Sequence, residues 1–404
     1  MDENKENTML FREKKECCAC GACYSTCSKH AISMIEDEIG FVYPHIDQEK
    51  CIGCGLCHKV CSYQSTKDGL RSLTGYVATN TNMNQLMNST SGGAFSAIAT
   101  NVIKKGGIVY GAAYDFVEGK IIVKHIGIDR IEDLPKIQGS KYVHSYAFPV
   151  FREIKDQLSK GRNVLFSGTP CQVDAVNGLF GNSNPNFYTI DIICHGVPNQ
   201  KIFNDYVHTI SEDIIDFSFR DKNKGWQDFF IKYSTSYVSK HIHCRVSSYY
   251  EYFLRGEIFR ENCYSCKYAS ETRFSDVTIG DFWGIERMHP ELLYEKKWRS
   301  RLYDGISCIL INTDKGKKLI DQADSLDLIT SDYRRISAEN GQLRNPSKYS
   351  KEREAVFEIY KKYGYLGVEK AFREKLGKKE YQLAIKALIP ICFKRILKEL
   401  MNKA

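Results

Sequence analysis

Two cysteine runs with the same spacing constrain this chain more than any other feature of its sequence. The pattern C-x2-C-x2-C-x3-C occurs twice, with an offset of 34 residues. Its eight members are Cys17, Cys20, Cys23, Cys27, Cys51, Cys54, Cys57 and Cys61. A segment with so many regularly spaced thiols folds around whatever those thiols bind, so the bound group decides the fold of this segment.

The surroundings of these thiols favour metal binding over disulfides. The N-terminal stretch MDENKENTMLF is polar, and no apolar run approaches the roughly eighteen residues of a membrane span. We therefore expect a cytoplasmic protein without a transmembrane segment. Thiols stay reduced in that compartment, where a cysteine cluster binds metal or does chemistry.

The spacing itself is that of bacterial ferredoxins with two 4Fe-4S clusters, in which the fourth cysteine of each run ligates the other cluster. The predicted ligand sets are Cys17, Cys20, Cys23 and Cys61 for one cluster, and Cys51, Cys54, Cys57 and Cys27 for the other. Structural zinc is the alternative, although two four-cysteine runs exceed what a zinc site needs. Cys18 is out of register, and we expect it to be a packed bystander.

The sequence between and after the cysteine runs predicts strands and helices. AISMI and FVYPHI predict a short hairpin. Further on, NVLFSG, TPCQVDAVNGLFG and YTIDIICHG predict a strand, a helix and a second strand, which make a parallel crossover unit. Sites in such sheets lie beyond the carboxyl ends of the strands, and Cys171 and Cys194 both fall at that edge.

A later C-x2-C pair, Cys263 and Cys266, brings the number of candidate ligands in this region to four. With Cys171 and Cys194 it predicts a third 4Fe-4S cluster. A zinc site, or a redox-active pair beside two buried cysteines, remains open. Cys244, Cys308 and Cys392 lie in apolar contexts that are typical of small core residues.

Charge and the C-terminal segment add little to function. The net charge of +8 comes from lysines and arginines spread along the chain, without a basic stripe or a nucleic-acid-binding motif. We therefore expect no nucleic-acid partner. After about residue 350 the chain is helical and rich in lysine, and its apolar stripe either covers its own domain or rests on a membrane surface or a partner. The stripe consists of Ile385, Leu388, Ile389, Ile396, Leu397 and Leu400.

Seven motifs in order, SGGAFSAI, GSKYV, FSGTPCQ, ICHGVP, SFRDK, NCYSC and IGDFWG, resemble the coenzyme F420 hydrogenase/dehydrogenase beta subunit family. The resemblance spans roughly residues 75 to 320. It implies a flavoprotein that binds FAD and iron–sulfur clusters and exchanges electrons with ferredoxin or a deazaflavin. It also supports the third cluster.

The resemblance further implies a set of FAD-site and catalytic residues. Ser91, Gly92 and Gly93 would form part of the FAD phosphate cradle. The residues that would approach the flavin or its ribityl chain are Gly139, Ser140, Lys141 and Tyr142, and those at the rim of the site are Arg220 and Asp281. Lys141 would place positive charge near the flavin, and His195 would exchange a proton beside it. A simple helix N-cap at Ser91, a solvated loop lysine and a hydrogen-bonded histidine at a strand end are the respective alternatives.

We therefore expect an α+β chain: a dicluster ferredoxin domain, a larger α/β flavin-binding domain and a helical C-terminal tail. The predicted divisions are 8–66 for the ferredoxin domain, 74–150 for the FAD-binding part, 151–325 for the part with the third cluster and 326–404 for a basic helical extension. An oxidoreductase acting on an organic substrate is the leading hypothesis. An electron-transfer subunit of a larger hydrogenase or dehydrogenase, and a zinc-binding interaction module, are the alternatives.

Overall fold

The computed structural model describes residues 10–64, 68–181 and 183–378, together with Phe393. Residues 10–64 form a small module, which we call the ferredoxin module because of its cysteine pattern. Its hairpin consists of β1 (Ile32–Glu36) and β2 (Val42–Ile46), which pair antiparallel. The hairpin predicted between the cysteine runs is therefore present.

The repeat in the sequence is also a repeat in the backbone. Each cysteine run contains one short helix, Ala22–Thr26 in the first and Leu56–Lys59 in the second. Each helix begins directly after a glycine with positive φ, 75° at Gly21 and 68° at Gly55. A side chain would strain that left-handed conformation, so glycine at this point lets the chain turn tightly between two cysteines.

The larger domain is built on one eight-stranded sheet. The strands of the larger domain are β3 (Leu70–Arg71), β4 (Thr74–Asn80), β5 (Ile108–Val117), β6 (Lys120–Ile128), β7 (Val164–Gly168), β8 (Phe187–Ile192), β9 (Ile214–Ser218), β10 (Phe230–Thr235), β11 (Ser239–His243), β12 (Thr272–Arg273), β13 (Val277–Asp281), β14 (Ser307–Ile311) and β15 (Leu326–Ser331). The strand order of the large sheet is β15-β4-β14-β13-β8-β7-β5-β6. The strands β9, β10 and β11 form a separate antiparallel sheet, and β3 pairs with β12.

The centre of the large sheet is parallel and its flanks are antiparallel. Strands β5, β7, β8 and β13 run parallel, and β6, β14, β4 and β15 complete the sheet with antiparallel pairs. Val164, Leu165 and Phe166 of β7 are fully buried, which is typical of a strand covered on both faces. The crossover unit predicted from the sequence therefore lies at the middle of this sheet.

Helices cover the sheet and connect its strands. Those of eight residues or more are Ala94–Lys104, Phe151–Ser159, Pro170–Phe180, Gln200–Ile210, Ser248–Arg255, Lys296–Asp304, Asp314–Asp321 and Lys351–Leu376. The shorter ones of the larger domain are Met83–Asn88, Leu134–Ile137, Ile285–Met288 and Tyr333–Glu339. In the part of the chain that the structure describes, none of these helices combines the length and apolarity needed to cross a membrane.

The segment after residue 325 supplies a strand of the large sheet and a helix that packs on the aromatic core. Strand β15 pairs with β4, so the sheet crosses the domain boundary predicted at residue 325. Helix Lys351–Leu376 is interrupted at Gly364 (φ 64°, ψ −168°), and buries Phe357 and Phe372 in an aromatic core that also contains Phe41 of the ferredoxin module. The predicted apolar stripe between residues 385 and 400, and Cys392, lie outside the described residues. With these elements, the predicted architecture of a ferredoxin domain, a larger α/β domain and a C-terminal helix is confirmed.

Candidate functional site

The eight cysteines of the repeat surround two separate cavities in the ferredoxin module. The first has a volume of about 400 Å³ and the second of about 430 Å³. The first is lined by Cys17, Cys20, Cys23 and Cys61, and the second by Cys27, Cys51, Cys54 and Cys57. Each cavity thus combines three cysteines of one run with the fourth cysteine of the other run, as the ferredoxin spacing requires.

Backbone amides point at the sulfur atoms of these cavities. The amide of Ala19 donates to Cys17 Sγ at 3.4 Å, and the amide of Ala31 donates to Cys27 Sγ at 3.3 Å. Hydrogen bonds of this kind stabilise thiolate sulfur and raise the potential of a cluster bound to it. The donor set and the amides are therefore suited to iron–sulfur clusters.

A third cysteine-lined cavity lies at the carboxyl edge of the large sheet. Its volume is about 520 Å³, and its thiols are Cys171, Cys194, Cys263 and Cys266. Cys171 is the second residue of helix Pro170–Phe180, which follows β7, and Cys194 follows β8. The two neighbouring parallel strands therefore bring both cysteines to one edge of the sheet. No group of three or more His, Cys, Asp or Glu side chains in the described residues is close enough to hold a single metal ion.

Cys18 connects the first and the third cavity. It is only 5% exposed and lines both cavities, in contact with Cys20 on one side and Cys171 on the other. The sequence predicted a packed bystander, and the residue is indeed packed. Its position between two sets of four thiols is set by contacts between residues far apart in the chain.

The loop that carries Cys263 and Cys266 holds the ferredoxin module in place. Arg260 donates to the carbonyl oxygen of Cys17 at 2.8 Å, and Asn262 donates to the hydroxyl of Tyr63 at 2.8 Å. Lys267 donates to the carbonyl oxygen of Ser62. These three contacts join the loop of the third cavity to Cys17, Ser62 and Tyr63, which line the first cavity.

The largest cavity of the described residues lies beyond the third. It encloses about 2010 Å³ including its open mouth. It shares the wall residues Thr169, Cys194, His195, Gly196 and Val197 with the third cavity. The parallel strands β7, β8 and β13 all end at this cavity, which is where α/β sheets bind ligands.

Most of the residues predicted for an FAD site line this large cavity. They are Ser91, Gly139, Ser140, Lys141, Tyr142, His195, Arg220 and Asp281. Gly92 and Gly93 are not part of the described wall. A Cβ atom on Gly92 would lie 2.4 Å from the carbonyl oxygen of Ala78 and the amide of Ser307, so Gly92 serves close packing between strands.

The wall of the large cavity has a polar side and an aromatic side. The polar side, which we call the polar arc, consists of Thr90, Ser91, Gly139 and Ser140, and the aromatic side includes Tyr142 and Phe253. In the polar arc, the amide and the hydroxyl of Ser140 donate to Thr90 Oγ1 at 2.8 and 3.0 Å, which ties two loops together. On the aromatic side, the ring of Tyr142 stacks on Phe253 with centroids 4.4 Å apart. A ligand with a charged, hydroxylated part and a flat ring fits such a division.

Arg220 and Asp281 form a nearly buried ion pair at the cavity. Their side chains are 5% and 15% exposed, and the N–O distance is 3.1 Å. Asp281 also accepts from the indole of Trp226 at 2.6 Å, and the guanidinium lies 4.2 Å from the ring centroid of Phe229. The pair is thereby locked in orientation.

Burial changes the charge state of the two residues with predicted catalytic roles. It lowers the pKa of Lys141 to about 7, although Lys141 Nζ donates to the carbonyl oxygen of Gln138 at 2.6 Å. Burial also lowers the pKa of His195, against the opposing charge of Asp281. Lys141 is therefore partly charged near neutral pH, and the His195 imidazole is mainly neutral.

Sequence reasoning did not identify Lys222 and His125. Lys222 is buried and donates to the carbonyl oxygens of Leu86 at 2.6 Å and Ser91 at 2.5 Å, which fixes the loop before helix Ala94–Lys104. His125 lines the large cavity, where it bonds Ser145 Oγ and the carbonyl oxygen of Ser167, both at 2.9 Å. Lys222 lies within the motif SFRDK, whereas nothing in the sequence around His125 indicated a role.

Comparisons with known proteins agree with these features. Residues 161–333 match the family model for the C terminus of the coenzyme F420 hydrogenase/dehydrogenase beta subunit, and residues 16–65 match that of the 4Fe-4S dicluster domain. The predicted family resemblance and the predicted two-cluster domain are thereby confirmed. No curated protein matches the chain.

Among solved structures, 13 chains match. One of them belongs to a xenon-derivatised F420-reducing NiFe hydrogenase complex from Methanosarcina barkeri. It is 16% identical, and the match covers 72% of this chain and 92% of that chain with a TM-score of 0.45.

Proposed function

We propose that this chain is an iron–sulfur flavoprotein oxidoreductase. The proposal is supported by the match of residues 161–333 to the family model for the C terminus of the coenzyme F420 hydrogenase/dehydrogenase beta subunit, and by the match of residues 16–65 to the 4Fe-4S dicluster domain. Its redox partner is a ferredoxin or a deazaflavin, and its substrate is a small organic molecule. It works in the cytoplasm, where reducing conditions keep its thiols available as ligands.

One observation carries this proposal: the four cavities are arranged in series. The two cavities of the ferredoxin module are neighbours, since Cys23 and Cys27 of one helical turn line one each. Cys18 is shared by the first and the third cavity. Cys194 and His195 are shared by the third and the large cavity. Such a series suits single-electron transfer between the module and a ligand in the large cavity.

The ligand sets proposed for the clusters are those around the three smaller cavities. The third set, Cys171, Cys194, Cys263 and Cys266, is the one that goes beyond the dicluster domain. Its four thiols line one cavity, as the thiols of each ferredoxin set do, and four thiolate ligands are what a cubane requires. Arg273 also lines this cavity, and its guanidinium forms an ion pair with Asp191 at 2.9 Å.

The large cavity is the proposed FAD site. FAD exchanges electron pairs with organic substrates and single electrons with clusters, which is the chemistry needed at the end of such a series. Ser91, Gly139 and Ser140 of the polar arc would hold its phosphates, and Tyr142 would pack against its ring. Lys141 would supply positive charge. Gly92 and Gly93 would support the polar arc from behind.

A second candidate function is an electron-transfer subunit that feeds a separate catalytic subunit. The observation in its favour is the family itself, which is named for the beta subunit of a larger enzyme. A stable complex with another chain on native purification, combined with no turnover of small substrates by the isolated chain, would favour this alternative.

The experiment that tests the proposal measures iron, acid-labile sulfide and flavin per chain after purification without oxygen. We expect about twelve iron and one FAD in the wild type. Cys171→Ala should lose about four iron and keep the other eight. Cys244→Ala removes a buried thiol that lines none of these four cavities, so it is the matched control and should keep all the iron and the flavin. About eight iron without flavin in the wild type would contradict both the third cluster and the FAD site.

A further inference from the structure

The second ferredoxin cavity lies beside exposed residues of the ferredoxin module. Among the cysteines that the structure describes, Cys54 is the exposed one. Ile52 and Leu56, on either side of it, are 63% and 44% exposed. Added Cβ atoms on Gly53 and Gly55 would meet nothing within 4 Å, so the backbone beside Cys54 is open as well. We call residues 52–56 the outer patch.

Positive charge borders the outer patch. Lys29 lines the second cavity itself, and Lys59 ends the helix that begins at Leu56; both lysines are exposed. Lys50 is also exposed, but Asp47 pairs with it at 2.7 Å. A small apolar patch between lysines matches a partner that has carboxylates around an apolar contact.

We propose that a small acidic electron-carrier protein docks on the outer patch and transfers single electrons through it. This proposal rests on the proposed function, because it needs a cluster held by Cys27, Cys51, Cys54 and Cys57. One electron leaves the reduced iron–sulfur carrier and enters this cluster, so the carrier is oxidised, the cluster is reduced, and no bond or proton is exchanged. Contact through a patch of this size is short-lived, as in other electron-transfer encounters.

The outer patch suits a protein carrier and does not suit a deazaflavin. A deazaflavin transfers a hydride and has to meet its acceptor ring to ring. The cavity behind the outer patch is the one assigned to a cluster, whereas the large cavity has room for a ring. Electrons from a protein carrier therefore enter at the cysteine end of the series, and those from a deazaflavin enter at the opposite end.

The test is stopped-flow reduction of the cluster-loaded full chain by a small acidic ferredoxin that has been reduced beforehand. Lys29→Glu/Lys59→Glu should lower the second-order rate constant about tenfold or more at low ionic strength, and the difference should shrink in high salt. Lys105→Glu/Lys160→Glu, which reverses two exposed lysines of the larger domain, is the matched control and should react like the wild type.

Two results would overturn the docking site. One is an equal loss of rate in both double variants, which would reflect net charge alone. The other is a wild-type rate that does not change with salt. Reduction by dithionite, a small inorganic reductant, separates this failure from failure of the proposed function. If dithionite reduces the clusters and the carrier does not, the relay is intact and the docking site is wrong.

Discussion

Arg260 Nε donates to the carbonyl oxygen of Cys17 at 2.8 Å, across the boundary between the larger domain and the ferredoxin module. The same guanidinium lies 4.0 Å from the ring centroid of Tyr43 and is 2% exposed. Arg260 is also three residues before Cys263. One side chain thus joins the loop of the first cavity to the loop of the third.

Arg260→Met should therefore loosen the two modules against each other. The change leaves a buried carbonyl oxygen without its donor, which costs about 1–3 kcal/mol. We expect a lower urea midpoint and slower electron transfer from the ferredoxin clusters to the third cluster, measured by freeze-quench EPR. Arg287→Met, whose side chain is 65% exposed and pairs with the exposed Glu339, is the control and should change the midpoint little. Equal effects of both variants would contradict this role of Arg260.

The register of the cysteine runs predicts different outcomes for two neighbouring cysteines. Cys20→Ala should lose about four iron, because it removes a ligand of the first cluster. Cys18→Ala should keep all its iron, because Cys18 lies between two complete ligand sets. Iron and sulfide analysis of the two variants side by side decides the matter. Loss of iron from Cys18→Ala with retention in Cys20→Ala would show that the register is wrong.

Gly196 should be intolerant of any side chain. Its φ is +139°, and an added Cβ would lie 2.4 Å from the ring of Phe259. Gly196→Ala should destabilise the protein by about 1–3 kcal/mol and disturb the wall between the third and the large cavity. Chemical unfolding and flavin content are the measurements. Gly341→Ala, where an added Cβ meets nothing within 4 Å, should leave both unchanged.

Because of Lys222, the free energy of unfolding should depend on pH in the alkaline range. Burial, partly opposed by Asp281, lowers its pKa in the folded protein from 10.5 to about 7. The unfolded chain therefore binds more protons between about pH 7 and 10, and the free energy of unfolding rises with pH in that window. The gain is lost again as the pH falls back towards 7.

The matching measurement compares urea midpoints at pH 7, 8 and 9. Lys222→Met removes the titrating amine, so the stability difference between wild type and variant should change by up to about 1.4 kcal/mol per pH unit, in favour of the wild type as the pH rises. For Lys318→Met, which removes an exposed lysine, the plot of urea midpoint against pH should be parallel to that of the wild type. If the urea midpoint of Lys222→Met has the same pH dependence as that of the wild type, Lys222 stays charged when buried.

Features set by local spacing could be predicted from the sequence. The paired cysteine runs, the hairpin between them and the crossover that places Cys171 and Cys194 at one sheet edge all depend on residues close in the chain. The pairing of β15 with β4, and the contacts of Cys18 with Cys171, depend on residues far apart. The same is true of Lys222, whose two carbonyl partners come from another helix and loop. The local pattern of residue types around Lys222 does not indicate such partners.

The pairing of β15 with β4 has a consequence for how the protein matures on the ribosome. The ferredoxin module is complete once residue 64 has emerged, because all eight of its cysteines lie before that point. The large sheet needs Leu326–Ser331 for its edge, and the thiols of the third cavity are spread from Cys171 to Cys266. Domains generally fold in order during synthesis. The eight cysteines of the ferredoxin module can therefore come together while the larger domain is still an unfinished chain.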